Sequence, residues 1–115
     1  MASNAPFFVD RVDQPGGPVL LRLRGELDVH GAPVLRAQLL DLLPERPPLV
    51  VDLHALDFMD SSGLAVLLEL RSRARSNGWT VSVRGARGRV RELLERTGTL
   101  QLVEAEPDDL PAAPA

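Results

Sequence analysis

Three short segments of this chain alternate apolar with largely polar residues, and that alternation restricts its architecture more than any other feature. Val19, Leu21 and Leu23 interleave with Leu20, Arg22 and Arg24; Leu49, Val51 and Leu53 with Val50, Asp52 and His54; Trp79, Val81 and Val83 with Thr80, Ser82 and Arg84. A period of two is that of a strand with one buried and one wetted face, whereas strands covered on both faces read as continuous apolar runs. The helices must therefore pack mainly on one face of the sheet.

Helical patterns lie between these strands. Leu35, Leu39 and Leu42 recur at helical spacing, Pro33 suits a first turn because its missing N–H has no partner to lose, and Pro44 sets the limit. A second helix is expected over 62–77, with Leu64, Leu67, Leu68 and Arg71 on one stripe, Glu69 four residues before Arg73, and Gly78 as a left-handed stop. A third runs over about 88–97 on Val90, Leu93 and Leu94 and ends at Gly98. Gln14-Pro15-Gly16-Gly17-Pro18 reads as the turn of a hairpin joining an edge strand at 7–12 to the next, and 100–103 reads as a short final strand. The expectation is an α/β, two-layer fold with a mixed, mostly parallel central sheet of about 4–5 strands. One domain over 7–104 is expected, with 1–6 and 105–115 as flexible tails, the second rich in acids and proline.

Composition removes several functions. There is no cysteine, so disulfides, thiolate catalysis and cysteine zinc sites are excluded. No apolar run approaches the ~20 residues of a membrane span, and the N-terminus has no basic region followed by an apolar one, so a soluble, cytoplasmic protein is expected. All thirteen basic residues are arginine, yet the net charge is −3. Nucleic acid is not the expected partner: Arg84, Arg87, Arg89 and Arg91 are followed by Glu92 and Glu95, and the chain has one tryptophan and no tyrosine for stacking. That cluster reads as a solvated helix face, with an anionic-partner surface as the alternative.

Enzyme chemistry finds little support. The only histidines, His30 and His54, lie in no nucleophile elbow, and no glycine-rich loop matches a phosphate cradle. Asp57 and Asp60 alone make a poor metal site, and neither a metal nor a cofactor is expected. What stands out is Asp60-Ser61-Ser62-Gly63, an acid and two hydroxyls where a strand gives way to a helix. The plain reading is a helix cap; the functional one is an anion held at the positive end of a helix.

Phe58-Met59-Asp60-Ser61-Ser62-Gly63-Leu64 is similar to the signature of the anti-sigma factor antagonists, the small bacterial STAS domains. Leu23-Arg24-Gly25-Glu26-Leu27-Asp28 resembles that family's Gly-Glu-Leu-Asp stretch, and Leu94-Glu95-Arg96-Thr97-Gly98 its closing helix. The resemblance implies a regulatory protein whose unphosphorylated form binds an anti-sigma factor that is also a serine kinase. That kinase would inactivate it at the serine after the aspartate, Ser61, and a serine phosphatase would restore it; ATP and Mg²⁺ would belong to the kinase. Asp28, Asp60, Ser61, Ser62 and Gly63 are the implied partner-binding residues. Asp60 would position the serine, Ser62 would cap or support the helix, Gly63 would admit the kinase backbone, and Asp28 reads equally as partner contact or cap. Where many members have a threonine before the first helix, this chain has His30-Gly31-Ala32-Pro33. The rival reading is a STAS subunit that docks on a transporter or scaffold assembly without phosphorylation.

Overall fold

A computed structural model describes residues 6–105. The elements run β1 (Phe8–Asp13), β2 (Val19–Leu27), α1 (Ala32–Leu42), β3 (Leu49–Asp52), β4 (Leu56–Met59), α2 (Ser61–Asn77), β5 (Val81–Arg84), α3 (Gly88–Arg96) and α4 (Leu100–Val103). The five strands form one mixed sheet in the order β1-β2-β3-β5, with β4 also paired to β2. β1 and β2 make the antiparallel hairpin, closed by Gly17 N–H donating to Gln14 O at 2.9 Å; every other pairing is parallel.

β2 is long enough to hold two partners in succession. Val19 to Arg22 pair with β3, a bulge follows at Gly25 and Glu26, and Glu26 and Leu27 pair with Phe58 and Met59 of β4. β3 and β4 thus behave as one strand broken at residues 53–55, where Leu56 N–H returns to Leu53 O. The break passes unnoticed in the sequence because Leu53 and Leu56 are both buried. Its effect is to deliver the end of β4, and the residues after it, beside the end of β2.

The alternation has the predicted consequence. Leu21, Leu23, Leu49, Val51, Val81 and Val83 form the buried face and pack on Leu35, Leu39 and Leu42 of α1 and on Leu64, Leu67 and Leu70 of α2. Burying such side chains contributes about 1.5–3 kcal/mol each, which is why the helices gather on this side. The other face carries a cross-strand row of Asp10, Arg22, Asp52 and Arg84, successive partners in the register and opposite in sign. Arg24 pairs with Asp10 at 2.7 Å on that face.

One element differs from the expectation. Residues 100–103 form the short helix α4, not a strand: Val103 is fully buried and Leu100 packs against the core, a spacing of three that suits a helical turn. Glu104 Oε2 accepts from Ala86 N–H at 2.8 Å and Ala105 O accepts from Arg71; of the expected tails, 1–6 and 105–115, all but residues 6 and 105 lie outside the described residues.

Arg71 explains why a cation sits in an apolar stripe. It is 2 % exposed, and its guanidinium donates from Nη1 to Val81 O at 2.7 Å and from Nε and Nη2 to Val103 O at 3.0 and 2.7 Å. The planar fork thereby joins α2, β5 and α4, using geometry that a lysine lacks. Gly78 ends α2 as expected, at φ +62°, with its N–H on Ala74 O.

Candidate functional site

The site is built where β2 and β4 end side by side. Asp60 N–H donates to Leu27 O at 3.2 Å, so the two exits are joined by a backbone hydrogen bond. β4 leads at once into α2 and β2 reaches α1 through residues 28–31, and an aspartate stands at each exit. Asp60, in extended backbone at the N-cap of α2, accepts at Oδ1 from Ser62 N–H (2.9 Å) and Gly63 N–H (3.3 Å). Asp28 accepts at Oδ1 from His30 N–H (2.9 Å) and Gly31 N–H (3.1 Å) ahead of α1. The Asp60 acceptor satisfies N–H groups that a helix start leaves without partners, whereas Asp28 holds the turn that precedes its helix.

Those bonds set the charge of Asp28. The Gly31 N–H, then the His30 N–H and the His30 side chain, hold its carboxyl below the usual carboxylate range, against the opposing effect of partial burial. Gly31, the N-cap of α1, offers no side-chain cap, and the Asp28 carboxylate bonds only the two residues ahead of the helix, so the hydrogen bond that a threonine hydroxyl would give to the first turn is not replaced. Asp28 therefore shapes the turn that leads into α1 and does not cap the helix, which corrects the cap reading of this residue.

Ser61 is the first residue of α2 and is exposed; among the described residues its hydroxyl makes no hydrogen bond. Ser62 is half-buried, and its expected capping role belongs to Asp60, which accepts from its N–H. Gly63 is corrected more sharply. It is buried, and a Cβ there would lie 2.6 Å from Leu27 Cγ and 2.9 Å from Leu27 O. The room left by its missing side chain is filled by β2 from inside, not kept for a kinase backbone. Gly63 is what lets α2 start so close to the sheet.

Around these residues lie features that no local sequence pattern revealed. Val29 and Val34 stand exposed at the entrance of α1, 59 % and 48 % respectively, on the same rim as Asp28. Across β4, α3 packs against the strand, and Arg89 lays its guanidinium 5.1 Å from the ring centroid of Phe58. Arg87 Nε donates to His54 O at 2.5 Å. Both histidines are exposed, and neither approaches a serine hydroxyl among the described residues. No group of three or more His, Asp or Glu side chains arranged to hold a metal occurs among the described residues, and no described helix is long and apolar enough to cross a membrane.

A mixed sheet with helices on one face, and a serine directly after the capping aspartate of the helix that follows β4, define a STAS domain. Residues 11–104 match the family described as Mlab, STAS domain, and the chain belongs to that family. It is 33 % identical over 89 residues to the anti-sigma F factor antagonist of Paenibacillus polymyxa, covering 76 % of each chain. It is 28 % identical over 93 residues to the anti-sigma-B factor antagonist of Bacillus subtilis, covering 81 % of this chain and 85 % of that one. The crystal structure of an anti-sigma factor antagonist from Mycobacterium paratuberculosis superposes with a TM-score of 0.71 at 26 % identity, over 93 % of this chain and 91 % of that one. The fold also occurs in a sulfate transporter family protein from Wolinella succinogenes, with a TM-score of 0.62 at 20 % identity over 73 % and 69 % of the two chains.

Proposed function

We propose that this protein is an anti-sigma factor antagonist switched at Ser61: unphosphorylated, it binds an anti-sigma factor with serine kinase activity and so releases a sigma factor; phosphorylated, it does not bind, and a serine phosphatase reverses the change. The observation that carries the reading is Ser61 itself, exposed, with no hydrogen bond to break among the described residues, at the first position of α2 directly after its capping aspartate. Asp28 shares its rim and, with Asp60 and Ser62, completes the proposed contact surface; Gly63 contributes by fixing where α2 begins.

Phosphorylation adds about −1.5 to −2 charges and three acceptor oxygens. At this position the helix dipole favours the anion, but Ser62 N–H and Gly63 N–H are already bonded to Asp60. The phosphate therefore gains the positive helix end without those hydrogen bonds, and lies beside a carboxylate. Little is gained or lost in the fold. The effect is exerted on the partner, where like charge or lost packing of about 1.4–2.8 kcal/mol weakens binding ten- to a hundredfold.

The test is to incubate the protein with candidate anti-sigma kinases and ATP and to locate the phosphate by mass spectrometry. Ser61→Ala should block incorporation and keep binding; Ser61→Asp should weaken binding. Full phosphorylation of the alanine variant, or equal binding of the modified and unmodified forms, would overturn the reading.

A further inference from the structure

Two arginines on the α3 side of this surface are placed against the electrostatics of their own helix. Arg87 is the N-cap residue of α3 and Arg89 lies in its first turn; that turn contains no acid. A helix N-terminus favours carboxylates, so two cations there reduce stability by a few tenths of a kcal/mol each. Among the described residues neither guanidinium has an acidic oxygen within 4.0 Å; Arg91, on the same helix, does, and what sets Arg87 and Arg89 apart from other arginines without a carboxylate, such as Arg96, is their place at the helix start.

Neither arginine is loose, either. Arg87 is held by the carbonyl of His54, in the break between β3 and β4, and Arg89 by the face of Phe58 in β4. Both anchors are neutral, so they fix position and leave the charge unspent. Both also belong to the segment that runs into Asp60 and Ser61. An uncompensated cation pair, held in place at a cost to its own helix, is the pattern of a binding element rather than of a solvated helix face.

We propose that Arg87 and Arg89 are a docking element that recognises an acidic segment of the protein partner binding at Ser61. This rests on the proposed function for the identity of that partner. A polyphosphate chain fits less well, because Asp57 and Asp60 lie on the neighbouring strand and turn and the net charge is −3. Holding the arginines in place lowers the ordering cost of binding, and their charge makes association depend on salt.

The experiment is a binding titration of the full chain with the purified anti-sigma kinase that phosphorylates it, at low and high salt. Arg87→Glu/Arg89→Glu is compared with wild type, with Arg87→Lys/Arg89→Lys, with Arg96→Glu, and with Ser61→Asp. Arg96 is likewise exposed and, among the described residues, has no carboxylate within 4.0 Å, but it closes the other end of α3 and so controls for net charge. Expected is a loss of about thirtyfold or more for the double reversal with most of the salt dependence removed, under about threefold for Arg96→Glu, and substantial retention for the lysine pair. A double reversal that binds like Arg96→Glu overturns the docking element while leaving the Ser61 reading intact. A Ser61→Asp variant that binds like wild type, with the double reversal weakened, does the opposite. Absence of any wild-type binding removes both. Retention of a random-sequence DNA duplex by wild type and not by the double reversal would assign the arginines to nucleic acid and overturn the proposal.

Discussion

Replacing Arg71 by methionine tests whether a buried arginine fastens the C-terminal end of the domain. Methionine keeps an unbranched stem among the same apolar neighbours but offers no donor. Three carbonyls, of Val81, Val103 and Ala105, then lose a charged donor. At about 1.5–3 kcal/mol for each charge-assisted bond the loss is about 5–9 kcal/mol. The variant no longer has to bury a cation, which returns several kcal/mol. The net expectation is a destabilisation of about 2–4 kcal/mol, a large part of the roughly 6–17 kcal/mol typical of a domain this size. By urea denaturation this is a lower midpoint at similar slope, and by thermal melting a fall of about 10–15 °C. Hydrogen exchange gives the local signature. The amides of Val103 and Glu104, which close α4 onto Thr99 O and Leu100 O, should lose protection first, with β2 and β3 still protected. Arg71→Lys should fall between, because one ammonium cannot reach acceptors on both β5 and α4. A methionine variant within about 0.5 kcal/mol of wild type would refute the reasoning and show that water satisfies those carbonyls equally well.

Asp60→Ala removes the acceptor for Ser62 N–H and Gly63 N–H and should cost about 1 kcal/mol, read as a lower urea midpoint, with Asp60→Asn recovering much of it. Gly63→Ala sets a helix-propensity gain of about 1 kcal/mol against overpacking of about 1–3 kcal/mol where the new Cβ meets Leu27; net destabilisation with weaker partner binding is expected, and a stabilised variant would contradict the close approach. Asp28 titrates below its unfolded value, so its contribution to stability is complete above about pH 4 and is lost as the pH falls through the lowered folded value. Acid titration of wild type should therefore show a loss that Asp28→Asn, already without the charge, does not.

What the sequence revealed of the fold and the site follows the range of the forces involved. The sheet layers, the hairpin, α1, α2 and α3 were legible because periods of two and three to four are local records of burial. Ser61 and Asp60 were legible for the same reason, their arrangement being fixed within four residues. The residues at 100–103 were misread because four positions cannot separate the two periods; the decision is made by Arg71 and the core, far away in the chain. Gly63 was misassigned because the side chain that fills its space, Leu27, arrives through the parallel pairing of β2 with β4. The contact of Arg89 with Phe58 has no local pattern at all. It arises only once α3 is laid along β4.

The helix-free side of the sheet raises a problem that its charges answer. An uncovered sheet invites a second copy to lie flat against it, yet Asp10, Arg22, Asp52 and Arg84 change sign at every strand. A neighbour shifted sideways by a single strand spacing turns attraction into repulsion along the whole row, so few stacking arrangements survive. Among the described residues no helix covers this face, and its alternating charges are what limit the ways in which a second sheet could settle on it.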